Sequence, residues 1–263
     1  MELRKKVPTF IVRLFLTECA LLVLAQGAYA SHPLITDDAG TQGKGKTQLE
    51  FNGEYEREKG DGARSESFTG PTIPVLSYGI SDNTDIALGA SYQHVQTRDA
   101  EGTRTVNGMT DTGIDLKWRF FEREGLAFAL KPGITLPTGN DKRGLGAGRV
   151  TYHLDFIATK EIKPWDFHFN LGYTRNENGV HERENLWKVS LAGVLDVARN
   201  LKAIGNVGIE RNTDRASHRD PAFVLGGLIY SIRESLDIDI GVRMGINRRG
   251  TDYSVPAGIT WKF

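Results

Sequence analysis

The chain has little of what usually cross-links or buries a protein. One residue of 263 is cysteine, Cys19, so no intrachain disulfide can form. Net charge is zero, with 33 Lys and Arg against 33 Asp and Glu. That balance excludes the basic excess a nucleic-acid binder needs for its phosphate contacts. No apolar run approaches the ~20 residues of a membrane-spanning helix, and mean hydropathy is negative. Past residue 30 no segment sustains a 3.6-residue apolar period. The six histidines (His32, His94, His153, His168, His181 and His218) lack H-x-H or H-x-x-x-H spacing, so neither a metal site nor a cofactor is expected. Glycine, by contrast, is plentiful at 30 residues against 9 prolines, a balance that favours turns and strands over disorder.

Residues 1–30 read as a cleaved signal peptide. Arg4, Lys5 and Lys6 form its positive head, Leu14 to Ala25 its apolar stretch, and Ala28-Tyr29-Ala30 its small-x-small cleavage site. Cleavage removes Cys19 and leaves 233 residues with 29 basic and 31 acidic side chains. An exported chain without disulfides takes its stability from its fold. Residues 31–46 form a polar N-terminal lead, either flexible or a plug, and 47–263 form one domain.

That domain alternates with period two almost throughout, the mark of strands with one apolar and one polar face. In the last strand Tyr253, Val255, Ala257, Ile259, Trp261 and Phe263 face one way, and Ser254, Pro256, Gly258, Thr260 and Lys262 the other. Twelve strands are predicted, at 47–57, 67–80, 84–97, 109–121, 126–138, 149–161, 164–175, 185–198, 200–211, 221–232, 235–247 and 252–263. The second is weakened by Pro71 and Pro74, and the tenth alternates poorly. Short turns alternate with longer, charged, Gly-rich connections around 58–66, 98–108, 139–148, 176–184 and 212–220, with a shorter one at 248–251. An even strand number with short turns on one rim and long loops on the other predicts an all-β, transmembrane, antiparallel up-and-down barrel in a Gram-negative outer membrane.

Three features put the apolar face outside. Strands of about 11–14 residues exceed the globular mode of ~5–6 and suit a tilted bilayer crossing. Outward aromatics sort by height: Trp118, Phe120, Phe128, Trp165, Phe167, Trp261 and Phe263 at the short-turn end, and Tyr55, Tyr92, Tyr152, Tyr173, Trp187 and Tyr253 at the long-loop end. Two such belts are what a bilayer imposes. Finally, Trp261-Lys262-Phe263 resembles the C-terminal signal read by the barrel-assembly machinery, making that machinery, through Phe263, and outer-membrane lipid with lipopolysaccharide the expected partners. No polar seam marks the lipid face, which predicts a monomer.

Gly40-Thr41-Gln42-Gly43-Lys44-Gly45-Lys46-Thr47 matches the phosphate-loop pattern by letter. The chemistry needs a helix after it, and an alternating strand begins at Gln48 instead. Hydrolase pairs fare no better. Ser91 and His94 fall on opposite faces of one strand, and His153 and Asp155 share a face about 7 Å apart, too far to bond. No catalytic residue is therefore assigned, and no enzyme is expected. The inner face carries both signs. Asp115, Lys117, Arg119, Asp155, Asp166, His168, Lys188, Asp237, Asp239 and Arg243 are expected to line a narrow solute path with weak ion selectivity, or to pair across the bore. The loop 139–148 has glycine enough to fold inward, and is equally readable as a mobile surface loop.

The segments Pro33 to Lys46, Val75 to Asn83 and Gly133 to Gly139 resemble the bacterial outer-membrane family named for the meta-pathway of phenol degradation, whose members are called transporters. The resemblance spans nearly all of the exported chain. It implies a barrel and the passage of small organic compounds, with aromatic ones hinted at by the family's name, and carries no ligand residues over. A passive channel for a small solute is thus the first expectation. A closed structural or surface-binding barrel is the alternative, and an outer-membrane lipid-modifying hydrolase the third.

Overall fold

The computed structural model describes residues 32–60, 63–100, 102–247 and 252–263; the predicted signal peptide at 1–30 lies outside the described residues. Among the described residues twelve strands succeed one another: β1 (Thr47–Gly60), β2 (Ala63–Ser81), β3 (Thr84–Asp99), β4 (Gly102–Arg123), β5 (Leu126–Leu136), β6 (Thr151–Ile162), β7 (Trp165–Arg175), β8 (Asn185–Ala198), β9 (Leu201–Glu210), β10 (Ala222–Arg233), β11 (Leu236–Gly245) and β12 (Tyr253–Lys262). Each pairs antiparallel with its sequence neighbours, and β1 pairs with β12 from Gln48 opposite Lys262 to Arg57 opposite Tyr253, closing the barrel. Closure leaves no sheet edge unpaired. The fold is a transmembrane up-and-down barrel, as the alternation predicts.

Five two-residue turns make one rim, after β2, β4, β6, β8 and β10. In the second, Glu124 and Gly125 have φ of 50° and 71°, the pair of positive values that a two-residue turn needs to match strand twist. Both termini of the barrel lie at this rim, where Thr47 N donates to Phe263 O at 2.7 Å. The longer connections 137–150, 176–184 and 211–221 make the other rim.

Two of the expected long connections, 58–66 and 98–108, are instead largely strand. β1 and β2 stay paired to Gly60 opposite Ala63, and β3 and β4 to Asp99 opposite Gly102, so β2 runs 19 residues and β4 22. Beyond lipid a ladder keeps its backbone bonds while polar side chains can occupy both faces, so the apolar alternation that reveals a strand lapses before the strand does. Around Pro71 and Pro74 β2 persists with shifted register against β3, and its pairing with β1 skips from Glu50 to Glu54, as expected where ladder donors are missing.

The faces are inverted relative to a water-soluble protein. Tyr78, Trp118, Tyr152, Leu171, Ile240 and Trp261 are exposed outward, whereas Lys131, Asp115, Asp155, Asn170 and Asn206 are among the most buried side chains. The poor alternation of β10 has a cause inside the bore: Leu225 joins Ala192, Val194 and Ile204 in an inward apolar patch that seats Leu34, with Phe223 and Ile229 beside it.

Candidate functional site

The lead is neither free nor a nucleotide loop: a strand succeeds it, not a helix, and residues 32–46 run along the inside of the wall. Leu34 sits on the β8–β10 patch, and Ala39 packs with Ala127, Ala129 and Ile157. Its backbone is held by inward side chains. Ile35 N and Thr36 N donate to Asn206 Oδ1 at 2.8 and 3.1 Å, Asp37 N to Asn170 Oδ1 at 2.6 Å, and Ala39 N to Thr159 Oγ1 at 2.9 Å. Farther on, Gln42 N donates to the Asp85 carboxylate and Lys44 N to Asp82 Oδ1. The lead then turns against Gly79, whose N and O bond to Lys46 O and Gly45 N. A Cβ at Gly79 would fall 1.9 Å from Gly43 O, so only glycine admits this approach.

Asp37 is the centre of the arrangement. Lys117 Nζ reaches its Oδ1 at 2.8 Å and Lys131 Nζ its Oδ2 at 3.0 Å. The two lysines are opposed on β4 and β5, between the pairs Asp115–Gly133 and Trp118–Leu130. Like charges in that position repel, and a buried carboxylate between them removes the conflict. Asp115 Oδ2 lies 3.8 Å from Lys131 on its other side.

The ten residues expected along a lumen path all point inward, and most are already engaged. Asp115 lies 2.8 Å from His153 Nε2, and Lys188 3.1 Å from Asp155. Arg243 contacts Glu54 at 3.0 Å and Ser254 Oγ at 3.0 Å. Asp166 meets Lys163, Asp237 meets Lys262, and Asp239 meets His32 of the lead. Arg119 bonds to Asp82 O and to Glu122 at the short-turn rim, and His168 Nδ1 lies 3.0 Å from Thr159 Oγ1. His153 therefore faces Asp115 rather than Asp155, while His94 is exposed on the outside. Asp37, Lys131, Asn170 and Asn206 are not singled out by the sequence reading; the opposed Lys117 and Lys131 are the signal that could have found them.

The long-loop end is also covered. Residues 137–150 fold inward around a 3-10 turn at Asp141–Arg143, and Asp111 accepts from Gly139 N and Ala147 N, each at 2.8 Å. Leu145 and Ala147 are buried, and Gly179 N donates to Ala147 O at 2.8 Å. Arg183 binds the carbonyls of Asn212, Asp214, Arg215 and Ser217, joining 176–184 to 211–221. Within this roof Glu182 is buried with Asn176 Nδ2 on one oxygen; burial pushes its carboxyl up to about 7.

Space remains beside the lead at the short-turn end. A cavity of about 210 Å³ lies on one side, reaching Asp85, Asp115 and Lys117, and one of about 350 Å³ on the other, reaching His168, Lys202 and Asp239.

A closed, lipid-facing barrel with a polar, partly filled interior defines an outer-membrane-type barrel. The chain belongs to the family described as "Putative MetA-pathway of phenol degradation", whose model matches residues 30–263. Among solved structures it is similar to the COG4313 outer membrane channel of Pseudomonas putida F1, with 14% identity, a TM-score of 0.68, and 86% of this chain and 98% of that one covered. The NanC porin shares 12% identity over 82% of this chain and all of that one, with a TM-score of 0.53. The translocator domain of the autotransporter NalP of Neisseria meningitidis shares 9% over 84% and 89%, also with a TM-score of 0.53. Likeness at these identities concerns the fold. No curated protein matches the chain.

Proposed function

We propose that the protein is a monomeric outer-membrane channel for passive passage of a small organic solute, with residues 32–46 acting as a plug. The observation that carries this reading is the lead itself, tied into the bore through Asp37 with polar cavities left on either side. A purely structural barrel has no need of a separate segment held by displaceable polar contacts. In this reading Asp115, Lys117, Arg119, Asp155, Asp166, His168, Lys188, Asp237, Asp239 and Arg243 are the walls of the path, in pairs that lead movement would rearrange. Trp118, Trp165 and Trp261 with Phe263 anchor the periplasmic lipid interface, and Trp187 and Tyr253 the outer one. Phe263 presents the chain to the barrel-assembly machinery, and lipopolysaccharide surrounds the outer rim. The channel and porin among the similar folds support the reading, and the family description points towards aromatic compounds.

The test is single-channel conductance of the refolded protein from residue 31 in a planar bilayer, beside a variant lacking 32–44. Small conductance in the full protein and a severalfold larger one in the deletion are expected. Folded barrels silent in both forms would overturn the channel and favour a closed structural one, a role that the many interior ion pairs would also suit.

A further inference from the structure

The two cavities beside the lead adjoin, since Asp38, Gly40, Gln48, Glu50 and Lys262 line both. Their linings are acidic. The smaller holds five carboxylates against three lysines. The larger holds eight carboxylates against three lysine or arginine side chains and two histidines. Most of these acids are engaged: Asp37 by its two lysines, Asp85 by Gln42 N, Asp115 by His153, Asp166 by Lys163, Asp237 by Lys262, and Asp239 by His32.

Glu50 differs. It is 3% exposed, and its Oε1 accepts from Gln48 Nε2 at 2.7 Å. Its Oε2 is buried with no hydrogen-bond partner among the described residues; the Asp115 oxygens share that condition but lie within ion-pair distance of His153 and Lys131. An unmet carboxylate oxygen in a buried setting is costly, and the surrounding negative charge repels any approaching anion. A proton, a bound cation or a hydrogen-bond donor offsets that cost. The described residues contain no group of three or more His, Cys, Asp or Glu arranged to hold a metal ion, and a single free carboxylate oxygen suits a singly charged guest.

We infer that these cavities form a cation-binding vestibule, in which Glu50 receives a singly charged cation: an alkali ion, or the ammonium group of an organic amine. The inference rests on the channel reading and narrows its solute to cationic chemistry. A mixed-sign lumen predicts weak selectivity. A vestibule whose paired charges cancel and whose surplus is negative predicts a definite preference for cations.

The experiment has two independent readouts on the wild type and Glu50→Gln, which keeps the shape of the side chain. The first is the reversal potential in a KCl gradient at neutral and mildly alkaline pH, with and without methylammonium. The second is saturation-transfer NMR of methylammonium on the detergent-refolded protein, with rubidium as competitor, which needs no current. Retention of the heat-dependent gel mobility of a folded barrel controls for folding. The expected result is cation preference in the wild type, reduced in Glu50→Gln, with cation binding weakened about tenfold, the loss of one charge-assisted contact. Block by methylammonium assigns the site to organic amines, and unblocked cation current assigns it to alkali ions. A conducting wild type without cation preference overturns the vestibule and leaves the channel standing. A silent barrel overturns the channel, and NMR then decides the site alone. A signal lost in Glu50→Gln supports it, and no signal in the wild type, or one unchanged by the substitution, overturns it.

Discussion

Asp37 shows how one side chain can hold a segment that ladder hydrogen bonds do not. Two ammonium groups opposed on neighbouring strands are a conflict that a single carboxylate resolves. Removing that carboxylate leaves buried Lys131 with its longer contact to Asp115 and Lys117 with Asp38 O, a loss of up to about 3–5 kcal/mol for a broken buried pair. Asp37→Ala should therefore release the lead while leaving the barrel closed. Thr36, fully buried beside Asn206, reports on this. The thiol of Thr36→Cys should resist maleimide in the otherwise native chain and react at least tenfold faster once Asp37→Ala is added; equal rates would show that Asp37 does not hold the lead. The lysine pair is legible in principle, because both residues stand on inward positions of adjacent strands. What sequence does not supply is the exact register that sets them face to face, since boundaries good to a few residues do not fix partners across strands. The partner of His153 escapes sequence for the same reason. Its neighbour along the chain, Asp155, is a poorer partner than Asp115, two strands away.

At the scale of elements, all twelve strands are visible in the sequence, because one face of each meets lipid and the other does not. The misses occur where that asymmetry ends. The upper parts of β2 and β4 are polar on both faces and read as loop, yet pair to their tips. The inner face of β10 is apolar where it seats Leu34, which blurs its alternation. The roof is the least legible part, since Arg183 acts by binding backbone carbonyls, which carry no sequence identity. Its pH response comes from Glu182. Burial raises this carboxyl from 4.5 to about 7, so the closed roof holds a proton that the opened loop would release. Closure is then favoured fully below about pH 4.5 and weakens as pH rises through about 7. Hydrogen exchange of 176–184 should speed up across that window beyond its intrinsic pH dependence, and Glu182→Gln should abolish the excess. A wild-type loop with no excess would contradict the burial of this acid as a control on the roof.

The whole molecule is a barrel closed on itself, with a lead at the short-turn end and three loops joined over the other. Fold class and the polar interior are readable from composition and period alone. The occupied bore is not, because a short polar lead has the same composition whether it is solvated or docked. The central claim is that this lead controls passage. Thr36 and Asn206, whose side chains bond at 2.7 Å, are the contact to replace by a cysteine pair, and Cys19, the chain's one cysteine, falls within the predicted signal peptide. The direct measurement is single-channel conductance of Thr36→Cys/Asn206→Cys, recorded oxidised and then after adding reductant to the same bilayer. A plug predicts low, steady current while the bridge is intact, and larger, fluctuating current once it is reduced. Conductance that does not change on reduction would contradict the account.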